Sequence, residues 1–340
     1  MPEERNAIVA QAPCRADLAG GTLDLWPIYL FHPGAVSINF ALTILATCRV
    51  EPRRGPAIHL RSADMGSEEH FAGLPELCRA RSYRHPIAAY LVRYFQPPGG
   101  FLLETHSQSP AGAGISGSSA LMIATGAALA RFTGVKLGRE ALRVLAQNVE
   151  AQIIRVPTGC QDYYPALYGG MNAIHLEPGG IRREALPVAA GEIERRFLLA
   201  YTGAPRQSGI NNWEVFKRHM NGDKTVVRNF SRIAGIAAAM RAALLQSDWG
   251  QVAGLLREEW KLRRSNHPHI STPLIGRLMN LARQNGGLAA KVCGAGGGGC
   301  VIFMVEPDAR QQVAQALARA GGQLLPFQVA RHGIRFVRGG

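Results

Sequence analysis

Two acidic residues stand where the chain can turn back on itself. Glu150 lies near the end of a helical stretch, and Asp162 follows twelve residues later, in Pro157-Thr158-Gly159-Cys160-Gln161-Asp162. If the chain folds back after the helix, both carboxylates can converge on one metal–phosphate centre, because Mg²⁺ is held by one or two carboxylates together with substrate phosphates. An Asp beside an acceptor hydroxyl can also take or orient its proton. Two solvated acids would meet the same spacing, so the pair alone does not decide.

Three glycine clusters carry more. Ser109-Pro110-Ala111-Gly112-Ala113-Gly114-Ile115-Ser116-Gly117-Ser118-Ser119-Ala120 runs straight into a helical pattern. A glycine-rich loop at a helix N-terminus presents unpaired N–H groups and the positive end of the helix dipole, which suits a phosphate. Its serines can ligate Mg²⁺ or cap the helix. No Lys follows Gly117, so the P-loop spacing is absent. Gly112-x-Gly114-x-x-Gly117 matches a dinucleotide pattern, but no strong βαβ unit surrounds it. Near the N-terminus, Ala19-Gly20-Gly21-Thr22-Leu23-Asp24 follows a strand-like segment carrying Arg15 and Asp17. Paired glycines let backbone approach a ligand closely; a tight turn capped by Asp24 is the plain alternative. Gly294-Ala295-Gly296-Gly297-Gly298-Gly299 lies between two strands. Ordering five glycines costs much entropy, which points to close approach to a ligand or to the second loop rather than to a simple turn.

Other candidates weigh less. His267-Pro268-His269 has the look of a metal pair, but no third ligand stands nearby in sequence. Six cysteines without a CxxC pair read as reduced thiols of a cytoplasmic protein. Trp213, Trp249 and Trp260 fall on helical faces and read as core.

Composition limits the partners. The chain has 340 residues and a net charge of +14, with only five lysines among 38 basic residues. Net charge speaks to partners and not to fold. The absence of any long Lys/Arg run, zinc knuckle or aromatic RNA-binding signature argues against nucleic acid and for small anionic ligands. With 47% apolar and 18% charged residues, the chain can bury a sizeable core and is not disordered. The longest apolar run, near Ala35–Cys48, is too short to span a membrane.

The elements that must position these groups follow from periodicity. Strands are expected at Ala7–Ala12, in a long bent stretch Gly34–Val50, and at Ala57–Ala63 and Phe101–His106. Helices are expected at Ser118–Phe132, stopped by Gly134, and at Leu137–Ile154. Strands at Asn172–Leu176 and Phe197–Tyr201 are followed by helical patterns at Asn211–Met220, Val226–Leu245, Trp249–Ser265 and Thr272–Gln284. The third glycine loop sits between strands Lys291–Cys293 and Val301–Val305, and a helix at Ala309–Ala320 and one or two strands within Gln323–Arg338 close the chain. Strands early and helices late predict an α+β protein rather than a doubly wound one. The turn-rich stretch Glu177–Glu192 reads as the boundary, giving domains at 1–188 and 189–340.

In their order, Gly-Gly-Thr-x-Asp, Pro-x-Gly-x-Gly-Ile-x-Gly-Ser-Ser-Ala and Gly-Ala-Gly-Gly-Gly-Gly resemble the three signatures of the GHMP small-molecule kinases. The likeness is greatest to the D-glycero-D-manno-heptose 7-phosphate kinase group. It is carried by Arg15 ahead of the first cluster, by Gln161-Asp162-Tyr163 with Tyr168-Gly169-Gly170-Met171-Asn172, by Tyr201-Thr202-Gly203, and by Ala290-Lys291-Val292-Cys293-Gly294. That group usually has Gly-Leu-Gly-Ser-Ser-Ser where this chain has Gly114-Ile115-Ser116-Gly117-Ser118-Ser119, and its first motif lacks the equivalent of Leu23 between Thr22 and Asp24.

The resemblance implies two α+β domains, the first like domain 2 of ribosomal protein S5 and the second ferredoxin-like, with the active site between them. It implies ATP and Mg²⁺. Pro110, Gly112, Ala113, Gly114, Ser116, Gly117, Ser118 and Ser119 would hold the nucleotide phosphates, with Gly296 and Gly297 closing over them. Ser118, Ser119 and Glu150 would hold the metal. Asp162 would be the catalytic acid–base group, with Arg15 neutralising charge at the acceptor. Gly20, Gly21, Thr22, Asp24, Gly294 and Gly296 would complete the acceptor site beside Arg15 and Asp162. The implied reaction is transfer of the γ-phosphate to a hydroxyl of a sugar or sugar phosphate, by a cytoplasmic enzyme without nucleic-acid or membrane partners, for which a homodimer is allowed. A kinase of a free aldose or uronic acid, and a non-catalytic nucleotide- or sugar-binding protein, are the alternatives.

Overall fold

The structure, a computed structural model, describes residues 7–204 and 208–338. Its first strand, β1 (Ile8–Ala19), is longer than the apolar run Ala7–Ala12. The strand-like segment carrying Arg15 and Asp17 continues it, with a register shift between Pro13 and Cys14. Charges can lie in this buried strand because each has a partner, as shown below. β1 pairs along its length with β2 (Val36–Arg53), whose Val, Ile and Thr content suits a strand.

β2 organises the first sheet. Its early part pairs with β6 and its later part with β5, so one strand spans both ends of the sheet. β3 (Ile58–Ser62) and β4 (Ser67–Phe71) form a hairpin. Two short helices, α1 (Leu74–Arg79) and α2 (Pro86–Phe95), lead to β5 (Gly100–Ser107), which runs parallel to β3. Helices α3 (Gly117–Thr133), α4 (Arg139–Ile154) and α5 (Tyr163–Tyr168) then precede the hairpin of β6 (Met171–Glu177) and β7 (Gly180–Leu186). The stretch 177–192 is therefore not all turn: Pro178 and Gly179 form the turn of a hairpin, and β7 has a polar, partly exposed face that hides its strand character.

α3 is buried almost all round. Its small residues let it lie close to β1 and β2 on one side and to α4 on the other. It stops at Gly134, which takes the left-handed conformation at φ 75°.

The second half is more helical. α6 (Ala190–Arg196) and β8 (Phe197–Tyr201) are followed by α7 (Ser208–Met220), α8 (Lys224–Leu245), α9 (Trp249–Ser265) and α10 (Pro273–Gln284). Asp223, Asp248 and Thr272 cap α8, α9 and α10 with side-chain oxygens that accept N–H groups of the first turn. β9 (Gly287–Val292), β10 (Cys300–Val305), α11 (Arg310–Arg319), β11 (Gln323–Leu324) and β12 (Arg335–Arg338) end the described chain. The second sheet is antiparallel, in the order β11-β8-β10-β9. β12 returns to the first sheet, beside β1. The architecture is α+β.

Trp260 is in the core, and Trp249 packs against it half-buried. Trp213 is half-buried and stacks on Phe216 instead of joining the core clusters. All six cysteines are free thiols. No described helix is long and apolar enough to cross a membrane.

Candidate active site

A cleft of about 450 Å³ is lined by loops from both halves of the chain. At one side stands the N-terminus of α3. Ser116 precedes it in the left-handed region, at φ 63°, and its carbonyl accepts the first intrahelical bond from Ala120 N–H at 2.9 Å. The amides of Gly117, Ser118 and Ser119 thus have no intrahelical acceptor. The Ser116 hydroxyl is buried, lines the cleft and has no hydrogen-bond partner among the described residues. An orphaned buried hydroxyl costs about 1–3 kcal/mol. A bound phosphate oxygen would satisfy it together with the free amides. Pro110, Gly112, Ala113, Gly114, Gly117 and Ser118 line the same cleft.

Glu150, near the end of α4, receives Ser118 Oγ at 2.9 Å, Ser119 Oγ at 3.2 Å and the Tyr163 hydroxyl. Burial raises its pKa, opposed by the Tyr163 hydrogen bond. Burial and the Glu150 charge in turn push the Tyr163 phenol well above its usual range, so it remains a donor. Ser118 lines the cleft, whereas Ser119 is 2% exposed and does not. Among the described residues no group of three or more His, Cys, Asp or Glu could hold a metal. One cleft-facing carboxylate with a serine hydroxyl nevertheless fits Mg²⁺, which leaves most of its positions to phosphate and water.

Asp162 sits just before α5, with its side chain 27% exposed, and is gripped by Arg15. Arg15 donates from Nε to Asp162 Oδ1 at 2.8 Å and from Nη1 to the Gly114 carbonyl at 2.7 Å. Burial opposes the guanidinium charge, but Asp162 and Asp17 raise its pKa overall. Asp24 faces the same point of the cleft. Its Oδ2 accepts the Gln161 N–H at 3.0 Å, and Gly159 has no Cβ because one would lie 2.0 Å from that oxygen. Burial first and the Asp162 charge second raise the Asp24 pKa to about 6.

Of the first cluster, Thr22 and Asp24 line the cleft. Gly20 is pressed on the Val36 carbonyl, and Gly21 lies over Arg263 and Asp17. Of the third cluster, Gly294 and Ala295 line the cleft. Gly296 and Gly297 turn to Ile270: a Cβ on Gly296 would lie 2.5 Å from the Ile270 carbonyl, which accepts the Gly297 N–H at 2.9 Å. Gly299 packs on the Ala113 carbonyl of the second loop, where a Cβ would lie 2.7 Å away. The glycine-rich stretch therefore serves loop-on-loop packing as well as the cleft.

The pairing of the charges beneath these loops is not legible in the sequence. Lys291 is fully buried and meets Asp17 at 2.5 Å and Glu259 at 3.4 Å. Burial would raise the Asp17 pKa, but Lys291, Arg15 and Arg263 together hold it well below the usual carboxylate range. A rare lysine between Ala290 and Val292 in an apolar strand was the available signal. Also missed was the apolar part of the cleft lining, Met65, Ile87, Leu121, Ile153, Ile154 and Val156. His267 and His269 lie away from the cleft, with His267 Nδ1 accepting the His269 N–H at 3.4 Å.

Two family models match the chain: GHMP kinases N terminal domain over residues 82–170, and GHMP kinases C terminal over residues 240–323. The D-glycero-alpha-D-manno-heptose 7-phosphate kinase of Campylobacter jejuni is 27% identical over 97% of this chain and 98% of its own length. The mevalonate kinase of Thermococcus gammatolerans is 30% identical over 69% of each chain. Among solved structures, the galactokinase of Lactococcus lactis superposes with a TM-score of 0.82 at 19% identity, covering 98% of this chain and 95% of that one.

Proposed function

The chain belongs to the GHMP kinases, and from that we propose that it transfers the γ-phosphate of ATP to a hydroxyl of a sugar or sugar phosphate, most closely the anomeric hydroxyl of a heptose 7-phosphate. The observation that carries this reading is the convergence, in one cleft, of the α3 N-terminus with its orphaned Ser116 hydroxyl, of Glu150 with Ser118, and of Asp162 opposite Asp24.

In this reading the amides of Gly117 to Ser119 and the Ser116 hydroxyl bind the nucleotide phosphates, and the apolar lining residues of the cleft take the base. Ser118 and Glu150 hold Mg²⁺, which would neutralise charge on the phosphates. Asp24 accepts hydrogen bonds from the acceptor's hydroxyls. Asp162 accepts or orients the proton of the attacking hydroxyl. Arg15 holds one oxygen of that carboxylate and the Gly114 turn of the phosphate loop. Catalysis comes from positioning and charge stabilisation, as phosphoryl transfer requires. Division of the chain at 188/189, a cytoplasmic location and a homodimer belong to the same proposal.

One observation favours a free aldose as acceptor instead. The two arginines lining the cleft are already engaged, Arg15 by Asp162 and Asp17, and Arg263 by the Gly294 carbonyl and Thr22, with Glu259 3.6 Å away. Coupled ADP release with MgATP, run against heptose 7-phosphate, hexose phosphates, free aldoses, uronic acids, mevalonate and homoserine, tests both readings. Turnover of one acceptor, lost in Asp162→Asn, is the expected result. ATP binding without turnover of any of them would overturn the sugar-kinase reading.

A further inference from the structure

Thr22 holds a left-handed backbone conformation at φ 74°, an outlier for a β-branched residue. Such strain persists only where the surroundings over-determine it. Both groups that hold Thr22 Oγ1 come from the second half of the chain. Arg263 Nη2, on α9, donates to it at 3.2 Å, and it donates to Asn212 Oδ1, on α7, at 3.3 Å.

Arg263 also reaches the third glycine loop. Its Nη2 donates to the Gly294 carbonyl at 2.7 Å, while the Gly294 N–H donates to Asp17 at 3.1 Å. Gly294 is therefore held at both ends of its backbone. The residue is 5% exposed, and its guanidinium lies 3.6 Å from Glu259 and so close to Gly21 that a Cβ there would be 2.6 Å from Nη1. One side chain thus bears on the first loop at two residues and on the third loop at one. Two residues beyond Thr22 stands Asp24, tied on its far side to Gln161 next to Asp162.

We propose that Arg263 is a positioning residue: it locks the acceptor loop Gly20–Asp24 to the third glycine loop, and so sets acceptor affinity while leaving nucleotide affinity untouched. The proposal rests on the kinase reading for its kinetic consequence. The juxtaposition of Arg263 with Thr22 and Gly294 does not depend on that reading.

The test uses the full chain with Arg263→Lys, Thr22→Val and the double variant. Lysine keeps a cation beside Glu259, which protects the fold, but cannot reach both oxygens from one planar group. Each single variant is expected to raise acceptor KM about tenfold, the worth of one charge-assisted hydrogen bond. The double variant is expected to fall well short of the product of the two singles, because the Arg263–Thr22 contact is common to both. The Kd of a non-hydrolysable ATP analogue is expected to stay within about twofold, which a general loss of structure would not allow. Multiplicative effects in the double variant, an unchanged KM in Arg263→Lys, or equal movement of nucleotide Kd would each overturn the proposal. Hydrogen exchange gives a second readout that needs no acceptor. Amides of Gly20–Asp24 and of the third loop are expected to exchange faster in Arg263→Lys, with those of β1 unchanged; unaltered loop exchange sinks the clamp. If the wild-type protein phosphorylates nothing, the kinase reading fails, and the exchange result still decides the role of Arg263.

Discussion

Arg15 holds Asp162 by a single carboxylate oxygen: Nε and Nη2 reach Oδ1 at 2.8 and 2.7 Å. The pair is asymmetric in burial. The arginine side chain is 3% exposed and the aspartate side chain 27%. A buried cation thus fixes a carboxylate whose other face meets the cleft, which suits a group that must meet a hydroxyl in one orientation.

Asp162→Asn should keep this geometry, because the amide oxygen can still accept from Arg15. It removes the basicity. Turnover is expected to fall by about 10² or more, the usual worth of general-base help. Coupled ADP release measures it, and undiminished turnover would remove Asp162 from the chemistry.

Arg15 should behave differently from an acceptor-binding arginine. Its donors are committed to Asp162 and to the Gly114 carbonyl, and Asp17 stands 3.5 Å away. Arg15→Ala leaves Asp162 without its cation and takes from Asp17 one of the three cations around it, and losing a hydrogen bond to a charged group costs about 1.5–3 kcal/mol. Both kcat and the melting temperature are expected to drop. A rise in acceptor KM alone, at unchanged melting temperature, would place Arg15 on the substrate instead.

These contrasts mark what could be read before the structure. The α3 N-terminus was legible because glycine, serine and then an Ala/Leu period signal a loop entering a helix within a dozen residues. β1 was only partly legible, since Arg15 and Asp17 interrupt its apolar run and their partners, Asp162 and Lys291, lie 147 and 274 residues away. Glu259 and Arg263, at i and i+4 on α9, have the spacing of an ordinary solvated helix pair, and only tertiary packing buries them. The resemblance points Gly296 and Gly297 at the ligands, whereas here they turn to Ile270. Ile270, which they pack against, belongs to a loop that no local pattern connects to them.

Asp24 makes pH a probe of the acceptor end. Its pKa is raised from 3.8 to about 6, by burial and then by Asp162. The folded state therefore binds this proton more tightly than the unfolded chain does. Its contribution to stability is complete below about pH 4 and is lost as pH rises through about 6, a change on the order of 3 kcal/mol. Asp24→Asn does not titrate, so its melting temperature should gain on the wild type between pH 4 and pH 7. Over the same interval the wild-type acceptor KM should fall, as the carboxylate ionises and accepts hydroxyl donors better. Parallel melting curves across that range would show that Asp24 does not titrate there.

The two serines at the start of α3 should separate in their response to Mg²⁺. Both donate to Glu150, at 2.9 Å from Ser118 and 3.2 Å from Ser119. Only Ser118 lines the cleft, because the helical turn points Ser119 inward, where it is 2% exposed. Ser118→Ala removes a cleft-facing oxygen and should raise the Mg²⁺ concentration for half-maximal turnover by about tenfold, near the worth of one hydrogen bond to a charged group. Ser119→Ala removes a donor from a buried carboxylate that Tyr163 still binds. It should lower the melting temperature with a smaller change in Mg²⁺ dependence. A metal titration of turnover for each variant, paired with thermal melts, decides between them. The reverse ranking would put Ser119 on the metal and would require α3 to rotate on binding nucleotide.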